Sequence, residues 1–180
     1  HSAYLVTGSV QGVYDPQPWI GQLADFVRAA FGSGQKLVGI CFGHQLLAHA
    51  LGGHAEKAAQ GWGLGAREMT VQEPAVWMNP PLDQCRLYYC HQDQVISLPP
   101  NAVRLGNDPF CPNGLFAIGT QVFGMQGHPE FSPQFMGKLT DYLREDVGDG
   151  VWKTAVSSLD NPTHHNPIMA HWIVNFLLQN

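Results

Sequence analysis

Residues 36–53, KLVGICFGHQLLAHALGG, carry the pattern on which the fold prediction rests. The segment Lys36–Cys41 is apolar on both faces, which predicts a strand in the interior of a parallel sheet. Gly43 then turns the chain into a helix, and Gly52 and Gly53 end that helix. A strand, a tight turn and a helix in direct succession predict the βα unit of an α/β fold.

The flanking sequence extends this pattern and adds a middle part that is rich in strands. We predict a buried strand at Tyr4–Thr7 and a helix between Trp19 and Phe31, where apolar residues recur at helical spacing. The later predicted strands are Ala66–Gln72, Arg86–His91, Ala102–Gly106, Ala117–Gly119 and Val122–Gln126. The later predicted helices are Phe135–Arg144, Val151–Leu159 and Ile168–Leu178. We therefore predict one α/β domain over residues 1–180.

Composition narrows the classes of function. The chain has 180 residues, enough for a sizeable core, and its formal net charge is −5 with only nine Lys and Arg. Nucleic-acid binding rests on clustered cations, and no basic cluster occurs in the sequence. No apolar run approaches the roughly 18–20 residues of a membrane-spanning helix. We expect a small polar substrate, with neither nucleic acid nor a membrane as partner.

The cysteines and the first residues indicate the cellular compartment. The four cysteines form no CxxC pair, and a chain of this size does not depend on disulfides. The opening residues, HSAYLVTG, lack a basic segment followed by an apolar stretch, so we expect no signal peptide. Together these features predict a cytoplasmic protein.

The segment Gly39-Ile40-Cys41-Phe42-Gly43 places a cysteine between a buried strand and a helix. Glycines two positions before and after it fit the tight turn of a nucleophile elbow, where a Cβ would clash. We expect the helix N-terminus to favour the thiolate of Cys41. A buried structural cysteine is the alternative interpretation of this segment alone.

The segment Gln126-Gly127-His128-Pro129-Glu130 supplies a base and a carboxylate. Pro129 biases His128 towards an extended conformation, in which residues two apart point the same way. We therefore expect Glu130 to lie beside His128, where a carboxylate would fix the imidazole tautomer. On its own, the tripeptide also fits a loop or a helix N-cap.

Taken together, the Cys41 elbow and His128-Pro129-Glu130 resemble the class I glutamine amidotransferase family. Thr7–Ser9 resembles the family's oxyanion loop, and His91–Val95 resembles its His-x-Asp-x-Val segment. Gly61–Gly65 resembles the segment leading into the middle strands, and we expect it to form a turn. The resemblance implies a flavodoxin-like three-layer α/β/α sandwich.

The resemblance also implies a mechanism. Cys41 would attack the side-chain amide of glutamine and form a γ-glutamyl thioester. His128 would act as general base and acid, and Glu130 would orient it. No cofactor and no metal are implied, and the nine histidines show no metal-ligand spacing.

Further positions follow from the same resemblance. The oxyanion hole would be formed by the backbone N–H groups of Gly8 or Ser9 and of Phe42. The residues that would hold the glutamyl part of the substrate are Gln45, His91 and Gln92.

The chain departs from the family pattern in two places. Its first strand leads directly into the oxyanion loop, so we expect the family's N-terminal strand–helix–strand unit to be missing. The loop itself is TGSVQG in place of the more usual Gly-Gly-Pro start.

Three functions remain open from sequence. The first is hydrolysis of glutamine, with ammonia passed to a separate acceptor or synthetase subunit. The second is a stand-alone γ-glutamyl peptidase or hydrolase, in which only the leaving group differs. The third is a catalytically silent binding module with an amidotransferase-like fold.

Overall fold

The computed structural model describes residues 3–179. Residues 1, 2 and 180 of the predicted domain lie outside this range. The strands are β1 (Ala3–Val6), β2 (Lys36–Ile40), β3 (His54–Lys57), β4 (Gly63–Val71), β5 (Gln84–His91), β6 (Asp93–Ser97), β7 (Val103–Asn107), β8 (Leu115–Ile118) and β9 (Val122–Met125). The helices are α1 (Pro18–Gly32), α2 (Phe42–Ala50), α3 (Pro133–Tyr142), α4 (Arg144–Ser158) and α5 (Asn166–Leu178). None of the helices within the described range is long and apolar enough to cross a membrane.

Seven strands form one sheet in the order β1-β2-β9-β8-β7-β4-β5. The first three are parallel, and the remaining pairs are antiparallel. A separate antiparallel pair is formed by β3 and β6. The predicted interior position of β2 is confirmed, since β2 pairs with β1 on one side and with β9 on the other.

Alternating side chains of the parallel strands feed two cores. On β2, Leu37 packs with α1 and α2, whereas Val38 packs in the cluster that contains Trp172 and Phe176 of α5. At the other end of the sheet, β5 repeats this alternation: Leu87 faces the α5 cluster, and its neighbours on the opposite face pack against α3 and α4. Helices therefore cover both faces of a curled sheet, and the predicted α/β/α layering is confirmed.

Two glycines allow α2 to approach the sheet closely. A Cβ at Gly39 would lie 2.5 Å from the backbone of Gly43, and one at Gly124 would lie 2.7 Å from Nδ1 of His44. The imidazole of His44 thus occupies the space above Gly124 and contacts the ring of Phe116, with centroids 5.0 Å apart. A buried, uncharged imidazole is part of the helix–sheet packing.

Acid should destabilise the fold through His44. Burial lowers its pKa from 6.5 to about 3 and outweighs the opposite effect of the backbone at Gly124 and Asn113. A pKa below the unfolded value means that the unfolded chain binds the extra proton first. The stability from neutral His44 is therefore present above pH 6.5 and is lost as pH falls towards 3.

We expect the unfolding midpoint temperature of the His44→Leu variant to fall less between pH 7 and pH 5 than that of the unmodified chain. The same exchange at exposed His171 serves as control and should leave the pH dependence unchanged. An equal pH dependence in all three proteins would contradict this account. Buried His91, whose pKa also falls to about 3, should leave a residual dependence in His44→Leu.

Helix α5 is fixed at its middle and at its C-terminus. The indole Nε1 of Trp172 donates to the carbonyl oxygen of Pro80 over 2.9 Å. At the C-terminus, Nζ of Lys36 donates to the carbonyl oxygens of Phe176 and Leu177 over 2.8 and 3.2 Å. A lysine at this position satisfies free carbonyls and complements the negative end of the helix dipole.

Three details of the sequence-based prediction were wrong. The short strands β3 and β6 were not predicted. The predicted turn at Gly61–Gly65 holds only for its first half, because β4 begins at Gly63. The helical segment α4 begins at Arg144, with non-helical dihedral angles at Gly148, rather than at Val151.

Candidate active site

Cys41 stands at the junction between β2 and α2 in an unusual backbone conformation. Its φ and ψ are 53° and −106°, in the region that residues other than glycine rarely adopt. Its N–H donates to Met125 of β9 over 2.9 Å, and its carbonyl oxygen accepts from the N–H of Gln45 over 3.0 Å. The strained turn is therefore held from both sides.

The flanking glycines are required by close backbone approaches. A Cβ at Gly39 would meet the backbone of Gly43, as described above. A Cβ at Gly43 would lie 2.1 Å from the carbonyl oxygen of Val6 at the end of β1. The spacing Gly-x-Cys-x-Gly is thus explained by contacts within the turn and with the neighbouring strand.

His128 and Glu130 lie in contact, as their spacing predicts. Nδ1 of His128 is 2.7 Å from Oε1 of Glu130. The backbone N–H of His128 donates to Tyr88 of β5 over 2.8 Å. The ring of Phe131 is stacked on the imidazole, with centroids 4.0 Å apart and planes 5° from parallel. The imidazole is therefore fixed by its backbone, by a carboxylate and by an aromatic ring.

Gly8 brings Cys41 and His128 to one point. A Cβ at Gly8 would lie 3.2 Å from Cε1 of His128 and 3.8 Å from Cβ of Cys41. The two side chains, 87 positions apart in sequence, hence face the same small space. The loop that follows β1 forms the third wall of that space, and a side chain at position 8 would be in tight contact with the imidazole.

The Cys41 thiol is protonated in the free site. Burial is the largest effect on its pKa, which rises from 9.0 to about 12, and the neighbouring Cys90 adds to the increase. The backbone N–H of Phe42 lowers the pKa, but by less. The expected effect of the helix N-terminus on the thiolate is therefore present, but burial outweighs it. Nucleophilic attack needs a base to take the proton.

A cavity of about 710 Å³ opens above Cys41. Its lining includes the loop at Gly8 together with Gln92 and Asp93, a group that we call the polar side. The lining also includes Phe131, Phe135, Leu139, Tyr142 and Leu143, which we call the apolar wall. Cys41, His128 and Glu130 belong to the same lining.

Two of the predicted substrate-binding residues hold the backbone of the polar side through hydrogen bonds. Nε2 of Gln45 donates to the carbonyl oxygen of Asp93 over 2.8 Å and to Oε1 of Gln126 over 3.1 Å. Nδ1 of His91 donates to the same carbonyl oxygen over 3.0 Å, since a carbonyl oxygen can only accept. Gln45 and His91 thus fix the chain at Gln92 and Asp93, where it borders the cavity.

Two of the three predicted oxyanion residues border the same cavity, and the third lies next to Cys41 in the chain. Gly8 and Ser9 belong to its lining, and Phe42 is the first residue of α2. Ser9 is exposed, and its hydroxyl accepts from the backbone N–H of Gln11 over 3.2 Å. The loop that follows β1 and the N-terminus of α2 therefore meet beside Cys41.

Comparison with known proteins identifies the family of this chain. The sequence model of the glutamine amidotransferase class-I family matches residues 4–144. The chain belongs to this family. It is 27% identical over 154 residues to gamma-glutamyl peptidase 3 of Arabidopsis thaliana, covering 78% of this chain and 59% of the relative. It is 31% identical over 157 residues to the glutamine-hydrolyzing GMP synthase of Acetivibrio thermocellus, covering 84% of this chain and 29% of that protein.

Solved structures confirm the fold of this class I amidotransferase family member. A glutamine amidotransferase from Thermotoga maritima superimposes with a TM-score of 0.78 at 19% identity, covering 97% of this chain and 78% of that one. The chain spans less than two thirds of the length of the gamma-glutamyl peptidase that it matches.

Sequence reasoning missed a polar pair in the site of this family member. The hydroxyl of Tyr14 donates to Oδ1 of Asp93 over 3.0 Å. Burial, followed by this hydrogen bond, raises the pKa of Tyr14 to about 12. A Cβ at Gly12 would lie 2.8 Å from Oδ2 of Asp93. The only signal for this pair was Asp93 within the His91–Val95 segment, because Tyr14 lies in a loop with no distinctive spacing.

Within residues 3–179, no group of three His, Cys, Asp or Glu side chains is arranged to hold a metal ion. The four cysteines are free thiols, and Cys90 lines the cavity near Cys41. The arrangement joins a thiol, an imidazole–carboxylate pair and a lining rich in backbone groups.

Proposed function

We propose that this protein cleaves the amide bond of a γ-glutamyl group, with Cys41 as nucleophile, His128 as base and acid, and Glu130 as the group that orients His128. The observation that carries the proposal is the convergence of Cys41 and His128 on Gly8, with Glu130 2.7 Å from the far nitrogen of the imidazole. Glutamine is the simplest substrate of this kind.

The proposed reaction takes place in two steps, formation of a thioester and its hydrolysis. Nε2 of His128 takes the thiol proton as Sγ of Cys41 bonds to the amide carbon, and the same proton then goes to the nitrogen as the C–N bond breaks. Ammonia or an amine leaves, and a γ-glutamyl thioester remains. Water next attacks the thioester, giving its proton to His128, and glutamate leaves as the thiol is restored. The pKa of about 12 for Cys41 makes this base essential.

The backbone would stabilise the negative charge that develops on the carbonyl oxygen. N–H groups of Gly8 or Ser9 and of Phe42 are the donors, because the loop and the first residue of α2 meet beside Cys41. The polar side of the cavity would hold the glutamyl group, with Gln92 at its edge and with Gln45 and His91 fixing the backbone there.

Two fates of the leaving group are supported by different observations. The similarity to glutamine-hydrolyzing GMP synthases supports release of ammonia to a separate acceptor or synthetase subunit. The similarity to a gamma-glutamyl peptidase, together with the apolar wall, supports cleavage of a larger γ-glutamyl compound. Both use the same thioester.

Glutamate release from glutamine and from small γ-glutamyl amides tests the proposal. We expect turnover by the unmodified chain and a decrease in kcat of about 100-fold in Glu130→Gln. The side-chain amide introduced at position 130 can donate a hydrogen bond to Nδ1 of His128 and so favour the wrong imidazole tautomer. Glu68→Gln, an exposed carboxylate outside the cavity lining, serves as control and should retain full turnover. Absence of glutamate release with every γ-glutamyl amide would refute the proposal.

A further inference from the structure

The apolar wall lies on the side of the site where the leaving group departs. His128 gives its proton to the departing nitrogen in the proposed mechanism, so the groups beside His128 border the leaving group. Phe131 is stacked on the imidazole, and the ring of Phe135 lies 4.6 Å from that of Phe131. The wall thus begins at the general acid and continues outward along α3.

The volume of the cavity exceeds the needs of glutamine. A space of about 710 Å³ lies within the range of about 300–1,000 Å³ that encloses drug-sized ligands. Glutamine is far smaller, and its leaving group, ammonia, has no surface for an apolar wall to contact. Apart from Phe131, which is stacked on the imidazole, the wall therefore has no contact to make with the leaving group of glutamine.

The chemistry of the wall selects the kind of group that fits it. Its five side chains carry no formal charge, and Phe135 and Tyr142 are 48% and 81% exposed. Uncovered aromatic surface gains free energy when an apolar group removes it from water, and aromatic rings favour other rings. The hydroxyl of Tyr142 suits the outer, wet end of such a subsite.

We propose that the apolar wall is a subsite for an aromatic leaving amine, so that the preferred substrate is an amide between the γ-carboxyl group of glutamate and an aromatic-bearing amine. This inference rests on the proposed function and names its substrate class. The C–N bond breaks as before, the amine leaves with the proton from His128, and water supplies the oxygen of the glutamate product.

Two matched substrates test the subsite. γ-Glutamyl benzylamide and γ-glutamyl methylamide are both amides of primary alkylamines, so their bonds have similar intrinsic reactivity. We expect kcat/KM, measured by glutamate release, to be at least about tenfold higher for the benzylamide, because contacts of one side group are worth about 10- to 200-fold. Equal values for the two substrates would overturn the subsite while leaving the proposed function intact. Absence of turnover with both while glutamine is still cleaved would likewise overturn the subsite, and absence of turnover with both and with glutamine would overturn the proposed function.

A pair of variants locates the effect. Phe135→Ala should reduce the benzyl-to-methyl ratio at least threefold, and Phe135→Tyr should retain it. Phe26→Ala is the control, since Phe26 is 41% exposed, contacts one aromatic ring and lies outside the cavity lining. A ratio that Phe135→Ala leaves unchanged would overturn the assignment, whether or not turnover of both substrates falls together.

A third substrate distinguishes two sources of the aromatic group. γ-Glutamylphenylalanine carries a carboxylate that the benzylamide lacks. Turnover of both supports an amino-acid leaving group, and turnover of the benzylamide alone supports a neutral amine. Each result retains the aromatic subsite, whereas turnover of the methylamide alone would overturn it.

Discussion

Cys41→Ala should reduce turnover of γ-glutamyl amides by a factor of about 10⁴ or more while leaving the fold intact. The thiol is the atom that would form the thioester, and no neighbouring side chain can replace it at the turn between β2 and α2. The exchange removes one sulfur atom at a position where alanine can adopt the same backbone. Glutamate release and the thermal unfolding midpoint measure the two effects separately.

Covalent labelling gives an independent measure of the same prediction. A glutamine analogue with an electrophilic γ-ketone should add one equivalent to the unmodified chain, as read by intact mass, and none to Cys41→Ala. Cys111→Ala is the matched control, because Cys111 is equally buried and lies outside the cavity lining. It should be labelled and active like the unmodified chain. Turnover retained in Cys41→Ala would contradict the mechanism. Absence of labelling in the unmodified chain would indicate a catalytically silent binding module.

Gly43→Ala should destabilise the fold by more than about 3 kcal/mol, the upper end of the usual cost of overpacking. The added Cβ would lie 2.1 Å from the carbonyl oxygen of Val6. This neighbour is backbone within a paired strand, so β1 or α2 must shift for the methyl group to fit. The free energy of unfolding in urea measures the loss, which is large beside a typical total of about 5–15 kcal/mol.

The control for this prediction is Gly21→Ala on α1. Its Cβ would have no neighbour within 4 Å, and alanine is the better helix former. We therefore expect Gly21→Ala to stabilise the fold by about 0.5–1 kcal/mol. Equal stabilities of the two variants would show that the turn tolerates a side chain and that the elbow geometry is misassigned.

Local parts of the site were predictable because their causes are local. Gly39 and Gly43 mark the tight turn at Cys41, since the clash that they avoid lies within or beside that turn. His128 and Glu130 were predicted to lie together because Pro129 restricts the backbone between them. The α/β layering followed from an apolar strand joined directly to an amphipathic helix.

Features that depend on distant packing were not predictable. The contact of Tyr14 with Asp93 joins residues 79 positions apart. The high pKa of Cys41 arises from burial by several elements, which outweighs the local effect of the helix N-terminus. Strands β3 and β6 are short and pair with each other, so neither has a strong pattern of its own. The convergence of Cys41 and His128 required the resemblance to a known family.

The parallel pairing of β1, β2 and β9 determines when the turn at Cys41 is assembled during folding. These strands come from residues 3–6, 36–40 and 122–125, so their pairing closes long loops and belongs to the slow, non-local part of folding. The backbone of Cys41 is held by Met125 of β9, and the turn rests on Val6 of β1. A partly folded chain therefore has a cysteine but no aligned nucleophile. The proposed activity should be among the last properties to return on refolding, after helical structure has formed.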